Sequence, residues 1–214
     1  DVSGGAMSVE IYDVDGDGKP DLVLPDYFNN VVCVSRNTGT SGTISFAPKV
    51  DFASNVQPND VALGDLDGDG KLDMAVVHTG ASSVSTYKNT STPGSISFEP
   101  KVDFAAGTQP DGVKIIDFDG DGKPDIVSAN WGSSNISVLR NTTTSGTISF
   151  AAAVNFATGV FPNKLDVGDL DGDSKPDIAV TNWNSATVSV FRNTCSCGTI
   201  SFAAKVDFAT GPIP

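Results

Sequence analysis

A nine-residue acidic segment recurs four times along this chain at a constant interval of 52 residues. The four copies are Asp13–Asp21 (DVDGDGKPD), Asp65–Asp73 (DLDGDGKLD), Asp117–Asp125 (DFDGDGKPD) and Asp169–Asp177 (DLDGDSKPD). A constant period of this length is typical of repeat architectures, in which each repeat is one supersecondary unit that packs against its neighbours. The period therefore restricts the possible folds more than any other feature of the sequence.

The residue types within each copy indicate a calcium site. Aspartates occupy positions 1, 3, 5 and 9, and the glycines let the backbone curl without Cβ clashes. Calcium binds about six to eight oxygen ligands, and position 7 is a lysine that can offer only its backbone carbonyl. We therefore expect up to four Ca²⁺ ions. The predicted ligands are Asp13, Asp15, Asp17, Lys19 and Asp21; Asp65, Asp67, Asp69, Lys71 and Asp73; Asp117, Asp119, Asp121, Lys123 and Asp125; and Asp169, Asp171, Asp173, Lys175 and Asp177.

Three other interpretations of the acidic segment are less favoured. An EF-hand loop needs a glutamate at position 12 and flanking helices, whereas position 12 here is Leu24, Val76, Ser128 or Val180. Magnesium tends to keep its waters and rarely uses all-protein cages. A plain acidic turn without an ion is disfavoured because four carboxylates in one turn repel one another, and the arrangement recurs in all four copies.

The fourth copy differs from the others at position 6, where Ser174 replaces glycine. If this position requires a positive φ, serine costs on the order of 1 kcal/mol. We therefore predict that the fourth calcium site is the weakest.

Each repeat contains four short segments with the period-two alternation of β-strands, separated by turns rich in Gly, Pro, Asn and Ser. The first and second flank the acidic loop, as in Val9/Ile11 and Leu22–Leu24. The third is Val32/Val34 in the first repeat, and a glycine turn leads to a fourth of the form Ile-Ser-Phe followed by Val-Asp-Phe. Four-stranded units at this period predict an all-β fold, a β-propeller. We assign the blades to residues 7–58, 59–110, 111–162 and 163–214, with 1–6 as the tail of a preceding repeat, in one propeller domain or fragment covering 1–214.

The chain resembles FG-GAP/VCBS-type repeats, which form the calcium-binding blades of integrin-α-like propellers and of many large bacterial surface and secreted proteins. The loop D-x-D-G-D-G-x-x-D carries the resemblance, and Val190–Thr194 (VFRNT) is similar to the VCBS type. The Phe-Gly signature is replaced by Leu63-Gly64 and Val167-Gly168. The resemblance implies Ca²⁺ at the sixteen loop aspartates. It also implies seven blades, so four repeats predict a closed four-blade ring, a partner that closes the ring, or part of a ring of about seven.

Charge and hydropathy exclude some classes of function. The net charge of −13 argues against nucleic-acid binding, and four Ca²⁺ ions would neutralise more than half of it. No apolar run approaches the roughly 20 residues of a transmembrane helix. Calcium sites rich in carboxylates suit the high calcium outside cells, so we expect an extracellular protein, secreted or at the cell surface.

Aromatic residues share one register position in the loops between the second and third strands: Tyr27, Trp131 and Trp183. Asn130 and Asn182 precede the tryptophans, and an aromatic ring beside amides suits a sugar. These five residues are the predicted ligand site, on the face opposite the calcium loops. The alternative is that the aromatics only pack between blades. We expect His78, the single histidine, to be inert.

The sequence contains no nucleophile elbow, zinc-ligand spacing, P-loop or dinucleotide fingerprint. We therefore expect a non-catalytic binding module, lectin- or adhesin-like, for a glycan or protein ligand. The alternative is a structural or assembly propeller, a spacer or subunit of a larger secreted or surface protein. Further blades or self-association would close the ring in either case.

Overall fold

The computed structural model describes residues 5–144 and 146–211. These residues form β-strands, turns and loops, and no helix occurs among them, which confirms the all-β prediction. Residues 1–4 of the predicted tail and 212–214 of the predicted last blade lie outside the described residues.

Sixteen strands form four antiparallel sheets of four, each a meander in chain order, as expected for four blades. The first two blades contain β1 (Glu10–Tyr12), β2 (Asp21–Asp26), β3 (Val31–Ser35), β4 (Val50–Ala53), β5 (Pro58–Gly64), β6 (Asp73–His78), β7 (Ser83–Tyr87) and β8 (Val102–Ala105). The last two contain β9 (Pro110–Ile116), β10 (Asp125–Asn130), β11 (Asn135–Leu139), β12 (Val154–Ala157), β13 (Pro162–Gly168), β14 (Asp177–Asn182), β15 (Thr187–Phe191) and β16 (Val206–Ala209).

The blades pack side by side in chain order around an axis lined by the first strand of each blade. Strand β5 contacts β9, β9 contacts β13, and β2 contacts β5. Within the described ranges, no strand of the first blade packs to a comparable extent against a strand of the fourth. Among the described residues, the four blades therefore form an open arc.

The hydrophobic core consists of three clusters, one between each pair of neighbouring blades. Between the first two blades, Val23 and Val34 meet Val61 and Met74, all with no or almost no exposed surface. Equivalent residues fill the second and third interfaces. Each fully buried side chain of this size contributes about 1.5–3 kcal/mol, so most of the apolar stabilisation lies between blades.

Phenylalanines of the outer strands meet edge to face at every interface. The ring pairs are Phe52–Phe98, Phe104–Phe150 and Phe156–Phe202, with centroids 5.1, 5.0 and 5.1 Å apart. These phenylalanines therefore pack between neighbouring blades.

The predicted fourth strand is shorter in the structure than in the sequence-based assignment. Only its Val-Asp-Phe-Ala portion, for example Val50–Ala53, joins the sheet. The preceding Ile-Ser-Phe portion is a small extension in which Phe46 bridges Asn37. Gly42, with φ of 83°, allows the tight turn that starts this extension.

Candidate metal sites and ligand face

The four acidic segments connect the first and second strands of the four blades, so all lie at the same end of the arc. Position 9 begins the second strand: Asp21, Asp73, Asp125 and Asp177 are the first residues of β2, β6, β10 and β14. The strand pairing therefore holds both ends of each loop.

Backbone hydrogen bonds to the aspartate at position 1 curl each loop. In the second blade, Asp65 Oδ1 accepts from Gly68 N at 2.8 Å and Oδ2 accepts from Gly70 N at 2.9 Å. The same two bonds occur in the other three loops. Both glycines have positive φ, at 80° and 86°, so the curl depends on backbone that only glycine adopts without strain.

The curl brings carboxylates together. In each loop, one oxygen from each of three aspartates lies within 4.8 Å of the others. The converging groups are Asp13, Asp15 and Asp17; Asp65, Asp67 and Asp73; Asp117, Asp119 and Asp125; and Asp169, Asp171 and Asp177. A set of hard, negatively charged oxygens fits Ca²⁺ better than softer metals. Asp21 and the position-5 residues Asp69, Asp121 and Asp173 are predicted ligands outside these groups.

The lysines at position 7 use their side chains elsewhere. Nζ of Lys71, Lys123 and Lys175 donates to the backbone carbonyls of Ser91, Thr143 and Cys195, at 2.9, 2.8 and 2.8 Å. These bonds tie the loop to the turn that follows the third strand of the same blade.

The position-9 aspartates are buried and accept two backbone hydrogen bonds. Asp73 Oδ2 accepts from Leu66 N at 2.9 Å, and Oδ1 accepts from Asn89 N at 2.8 Å. Burial nevertheless raises the pKa of Asp73 to about 6 and that of Asp125 to about 7. A bound cation would favour the charged form of both groups.

A basic residue after each third strand was missed by the sequence reasoning. Arg140 donates from Nε to Asp119 Oδ2 at 2.6 Å and from Nη2 to Asp121 Oδ2 at 2.7 Å. Lys88 pairs with Asp67 in the same way. The 52-residue recurrence of Arg36, Lys88, Arg140 and Arg192 was the available signal. These cations offset part of the repulsion among the carboxylates.

A recurring asparagine, also missed, joins each loop to the next blade. Asn89, Asn141 and Asn193 donate from Nδ2 to backbone carbonyls in the preceding blade's acidic loop, at 2.9, 2.9 and 3.0 Å. The side chains of Asn89, Asn141 and Asn193 have almost no exposed surface, so these bonds are shielded from water.

The predicted aromatic residues lie at the opposite end of the arc. The ring of Trp131 stacks on Phe161 with centroids 4.7 Å apart and an interplanar angle of 3°, and lies 5.2 Å from Trp183. Trp183 is 42% exposed. The two predicted tryptophans thus lie together, and Phe161 packs against one of them. The cluster is partly buried and partly exposed to solvent.

A cavity of about 340 Å³ separates this cluster from Tyr27. Trp131 and Tyr27 line it together with the amides of Gln57, Gln109 and Asn59. Gln57 and Gln109 have positive φ, at 58° and 51°, and their carbonyls accept from Thr79 N and Trp131 N. The cavity therefore combines aromatic rings with amide groups.

Asn130 and Asn182, both predicted ligand residues, are fully buried. Asn130 Nδ2 donates to Asn135 Oδ1 and Ser137 Oγ, each at 2.8 Å. Asn182 Nδ2 donates to Ser189 Oγ at 2.8 Å, and its Oδ1 accepts from Gly159 N. Their amides hold the loops in place rather than face the surface, and the glutamines of the cavity are the accessible amides instead.

His78 occupies the register position of Asn130 and has no exposed surface. Ser54 Oγ lies 2.7 Å from Nε2, and Nδ1 lies 3.3 Å from the carbonyl of Ser83. Because that carbonyl can only accept, Nδ1 carries the proton and Ser54 donates to Nε2. Burial lowers the pKa of His78 to about 4, so the ring is neutral at physiological pH.

The repeated acidic loops and the four-stranded blades agree with the comparisons with known proteins. A sequence model of the FG-GAP-like repeat matches residues 13–76, 66–128 and 117–180. No curated protein matches the chain in sequence. The structure of BBS1N in complex with ARL6DN is similar, with a TM-score of 0.65 at 16% identity over 99% of this chain and 59% of that one.

Two bacterial structures are also similar. A protein from Lactobacillus plantarum has a TM-score of 0.57 at 14% identity, covering 94% of this chain and 55% of the other. A putative 6-phosphogluconolactonase from Bacteroides fragilis has a TM-score of 0.59 at 16% identity, covering 91% and 56%. The chain thus spans little more than half the length of these structures. No described segment forms a helix long and apolar enough to cross a bilayer.

The expectation that the chain is not an enzyme needs correction. One of the similar structures is that of a putative 6-phosphogluconolactonase, so the absence of familiar catalytic motifs does not exclude catalysis on this fold. At 16% identity the likeness shows the fold alone, and function has to be argued from the site.

Proposed function

Because this chain belongs to the FG-GAP-like repeat family, we propose that it is a calcium-stabilised binding module that recognises a glycan at the end of the arc opposite its acidic loops. The observation that carries the proposal is this pairing of converging carboxylates at one end with an aromatic and amide cavity at the other. The family and fold by themselves support a binding or structural module.

Calcium is the ion that suits the acidic loops. Each loop gathers three aspartate oxygens within 4.8 Å of one another, and each nine-residue segment contains a fourth aspartate. Repulsion among these groups is relieved by a divalent cation. In this proposal Asp13, Asp65, Asp117 and Asp169, with the other predicted loop residues, hold up to four ions, which fix the loops and, through the asparagine bonds, the neighbouring blades.

A sugar suits the cavity between Tyr27 and Trp131. Aromatic faces stack on the C–H groups of a sugar ring, while the amides of Gln57 and Gln109 can bond its hydroxyls. A volume of about 340 Å³ is that of a small-ligand site. The exposed ring of Trp183 extends the surface beyond the cavity.

A protein ligand is the second candidate. The similar BBS1N structure is a complex with ARL6DN, and exposed aromatic clusters often form the centres of protein interfaces. We place the module outside cells because calcium sites of this kind fill at extracellular calcium concentrations.

Binding to a glycan array tests the proposal. We expect selective binding by the calcium-loaded chain, and a loss of at least about tenfold in Trp131→Ala and Trp183→Ala, since stacked aromatics dominate such sites. Tyr12→Ala is the matched control, because Tyr12 is also an exposed aromatic but lies beside an acidic loop. Equal thermal unfolding of the three variants would show that truncation acts on binding. The absence of binding by the wild-type chain to any glycan on the array would contradict a glycan ligand.

A further inference from the structure

One charged side chain lines the cavity between Tyr27 and Trp131, and it is the carboxylate of Asp111. The other described residues that line the cavity are aromatic, apolar or uncharged polar, and none of them is a cation. We propose that the ligand of this cavity carries a protonated amine, as an amino sugar does, and that Asp111 selects it. This inference rests on the proposed glycan function, because it concerns the same cavity.

Asp111 differs from its equivalents in the other blades. The 52-residue register places Met7, Asn59 and Asn163 at this position. Asn59 and Asp111 are the second residues of β5 and β9, and both line the cavity. The same position therefore contributes an amide from one blade and a carboxylate from the next.

The protein compensates the charge of Asp111 only in part. The Asn59 amide donates to the carboxylate and, at 2.8 Å, to the backbone carbonyl of the same residue. Lys164 Nζ donates to that carbonyl at 3.3 Å, but its ion pair, at 3.6 Å, is with Asp60. Among the described residues, Asp111 forms no ion pair of its own.

Burial raises the pKa of Asp111, Asp60 raises it further, and Lys164 and Asn59 oppose this incompletely. A raised pKa means that the negative charge is less stable in the cavity than in water. A cation from the ligand would stabilise it, and a carboxylate-bearing sugar would be repelled. The charge of the cavity therefore favours an amino sugar over an acidic one.

The aromatic rings favour the same class of ligand. A cation within about 6 Å of the face of a Trp or Tyr ring is attracted by the ring, and both Tyr27 and Trp131 line the cavity. A hydrogen bond between an ammonium group and a carboxylate is about twice as strong as one between neutral groups. A neutral sugar would use the rings and the glutamine amides but would leave the charge of Asp111 uncompensated.

Two disaccharides that differ only in this group test the proposal. The β1,4-linked disaccharide of glucosamine carries amines where cellobiose carries hydroxyls. We expect the glucosamine disaccharide to bind the calcium-loaded chain at least about tenfold more tightly in an NMR titration. Physiological salt screens the general attraction of a cation to this acidic chain. The indole N–H signals of the two tryptophans, Trp131 and Trp183, report binding at this end of the arc.

Asp111→Asn tests the assigned residue, since asparagine fills this position in the second and fourth blades and keeps an oxygen for the Asn59 bond. The variant is expected to lose about tenfold in affinity for the glucosamine disaccharide and to bind cellobiose as the wild type does. Asp166→Asn is the matched control, because it removes the same charge from β13 at a side chain that is 84% exposed and outside the cavity. Equal melting temperatures would show that both variants fold normally.

The outcomes separate this inference from the proposed function. Equal affinities for the two disaccharides, a preference that persists in Asp111→Asn, or one that is lost equally in Asp166→Asn would overturn the role of Asp111 and leave a glycan ligand in place. Binding of neutral glycans on the array, with none of the glucosamine disaccharide, would do the same. A chain that binds no glycan at all would overturn both.

Discussion

Asn141 Nδ2 donates a hydrogen bond of 2.9 Å to the backbone carbonyl of Leu66, which lies in the acidic loop of the preceding blade. The backbone N–H of Asn141 also donates to Asp125 Oδ1 at 2.8 Å. One asparagine thus joins the acidic loops of two neighbouring blades. Changes in one loop are expected to affect the stability of the next blade as well as its own.

Replacing Asn141 with alanine is therefore expected to destabilise the fold. The change leaves the buried carbonyl of Leu66 without this donor, which costs about 1–3 kcal/mol, and removes a partly buried bond to Pro124 O. Asn37→Ala is the matched control, since the only Nδ2 bond of Asn37 to a described residue lies within its own blade. Urea unfolding should show the larger loss for Asn141→Ala; equal losses would contradict an inter-blade role.

Replacing Ser174 with glycine is expected to strengthen the fourth acidic loop. Ser174 has φ of 67°, as the sequence led us to expect, where the other three loops have glycine. Removing this strain should stabilise the chain by about 1 kcal/mol and tighten calcium binding at this site. The reverse change, Gly122→Ser, should weaken the third site by a similar amount. Calorimetric titration compares them, and four sites of equal affinity in the wild type would refute the prediction.

His78 should make folding sensitive to acid. Its folded pKa of about 4 lies below the unfolded value of 6.5, so the unfolded chain takes up the proton first. Stability from this group is complete above about pH 6.5 and is lost as the pH falls toward 4, by about 3 kcal/mol. Asp103 and Lys101, the charged groups that act on the ring, oppose each other.

The variant His78→Asn tests the acid prediction, since asparagine fills this position in the third and fourth blades. We would measure the unfolding free energy of wild type and variant from pH 7 to pH 4. The difference between them isolates the contribution of the histidine, because the carboxylates are common to both chains. We expect the wild type to lose stability relative to the variant. A constant difference across this range would show that burial of the ring is not coupled to its protonation.

Arg140→Gln should lower stability most when calcium is absent. The guanidinium donates to both Asp119 and Asp121, and its removal leaves these carboxylates to repel each other unless an ion is bound. Calcium should therefore raise the melting temperature more in the variant than in the wild type. Arg192→Gln is the control, because its pair with Asp171 is 4.0 Å long and exposed. Equal calcium effects in all three chains would contradict the prediction.

Period and alternation were sufficient to predict the architecture. Three features recur every 52 residues: the acidic loops, the four strands of each blade and the phenylalanines between blades. Each of them forms the same structure in every blade in which it is paired. The openness of the arc could not be predicted, because the same repeat can close with four blades or continue into more. Among the described residues, that property appears in the strand contacts and in the exposure of residues such as Ile44 and Leu170.

The residues around the aromatic and amide cavity were predicted less completely than the acidic loops. Tyr27, Trp131 and Trp183 were found by their shared register, but Phe161 and the two glutamines come from the segment before each first strand. Asn130 and Asn182 looked like surface amides, yet the ends of β10 and β14 are buried. The sequence of a loop does not reveal which of its polar side chains are buried and hydrogen-bonded within the fold.

Calorimetric titration of the metal-free chain with Ca²⁺, followed by thermal unfolding with and without a chelator, tests the central claim most directly. We predict binding of up to four ions, little response to Mg²⁺ at the same concentrations, and a melting temperature that falls when the ions are removed. A chain that takes up no calcium and melts at the same temperature in chelator would contradict the account.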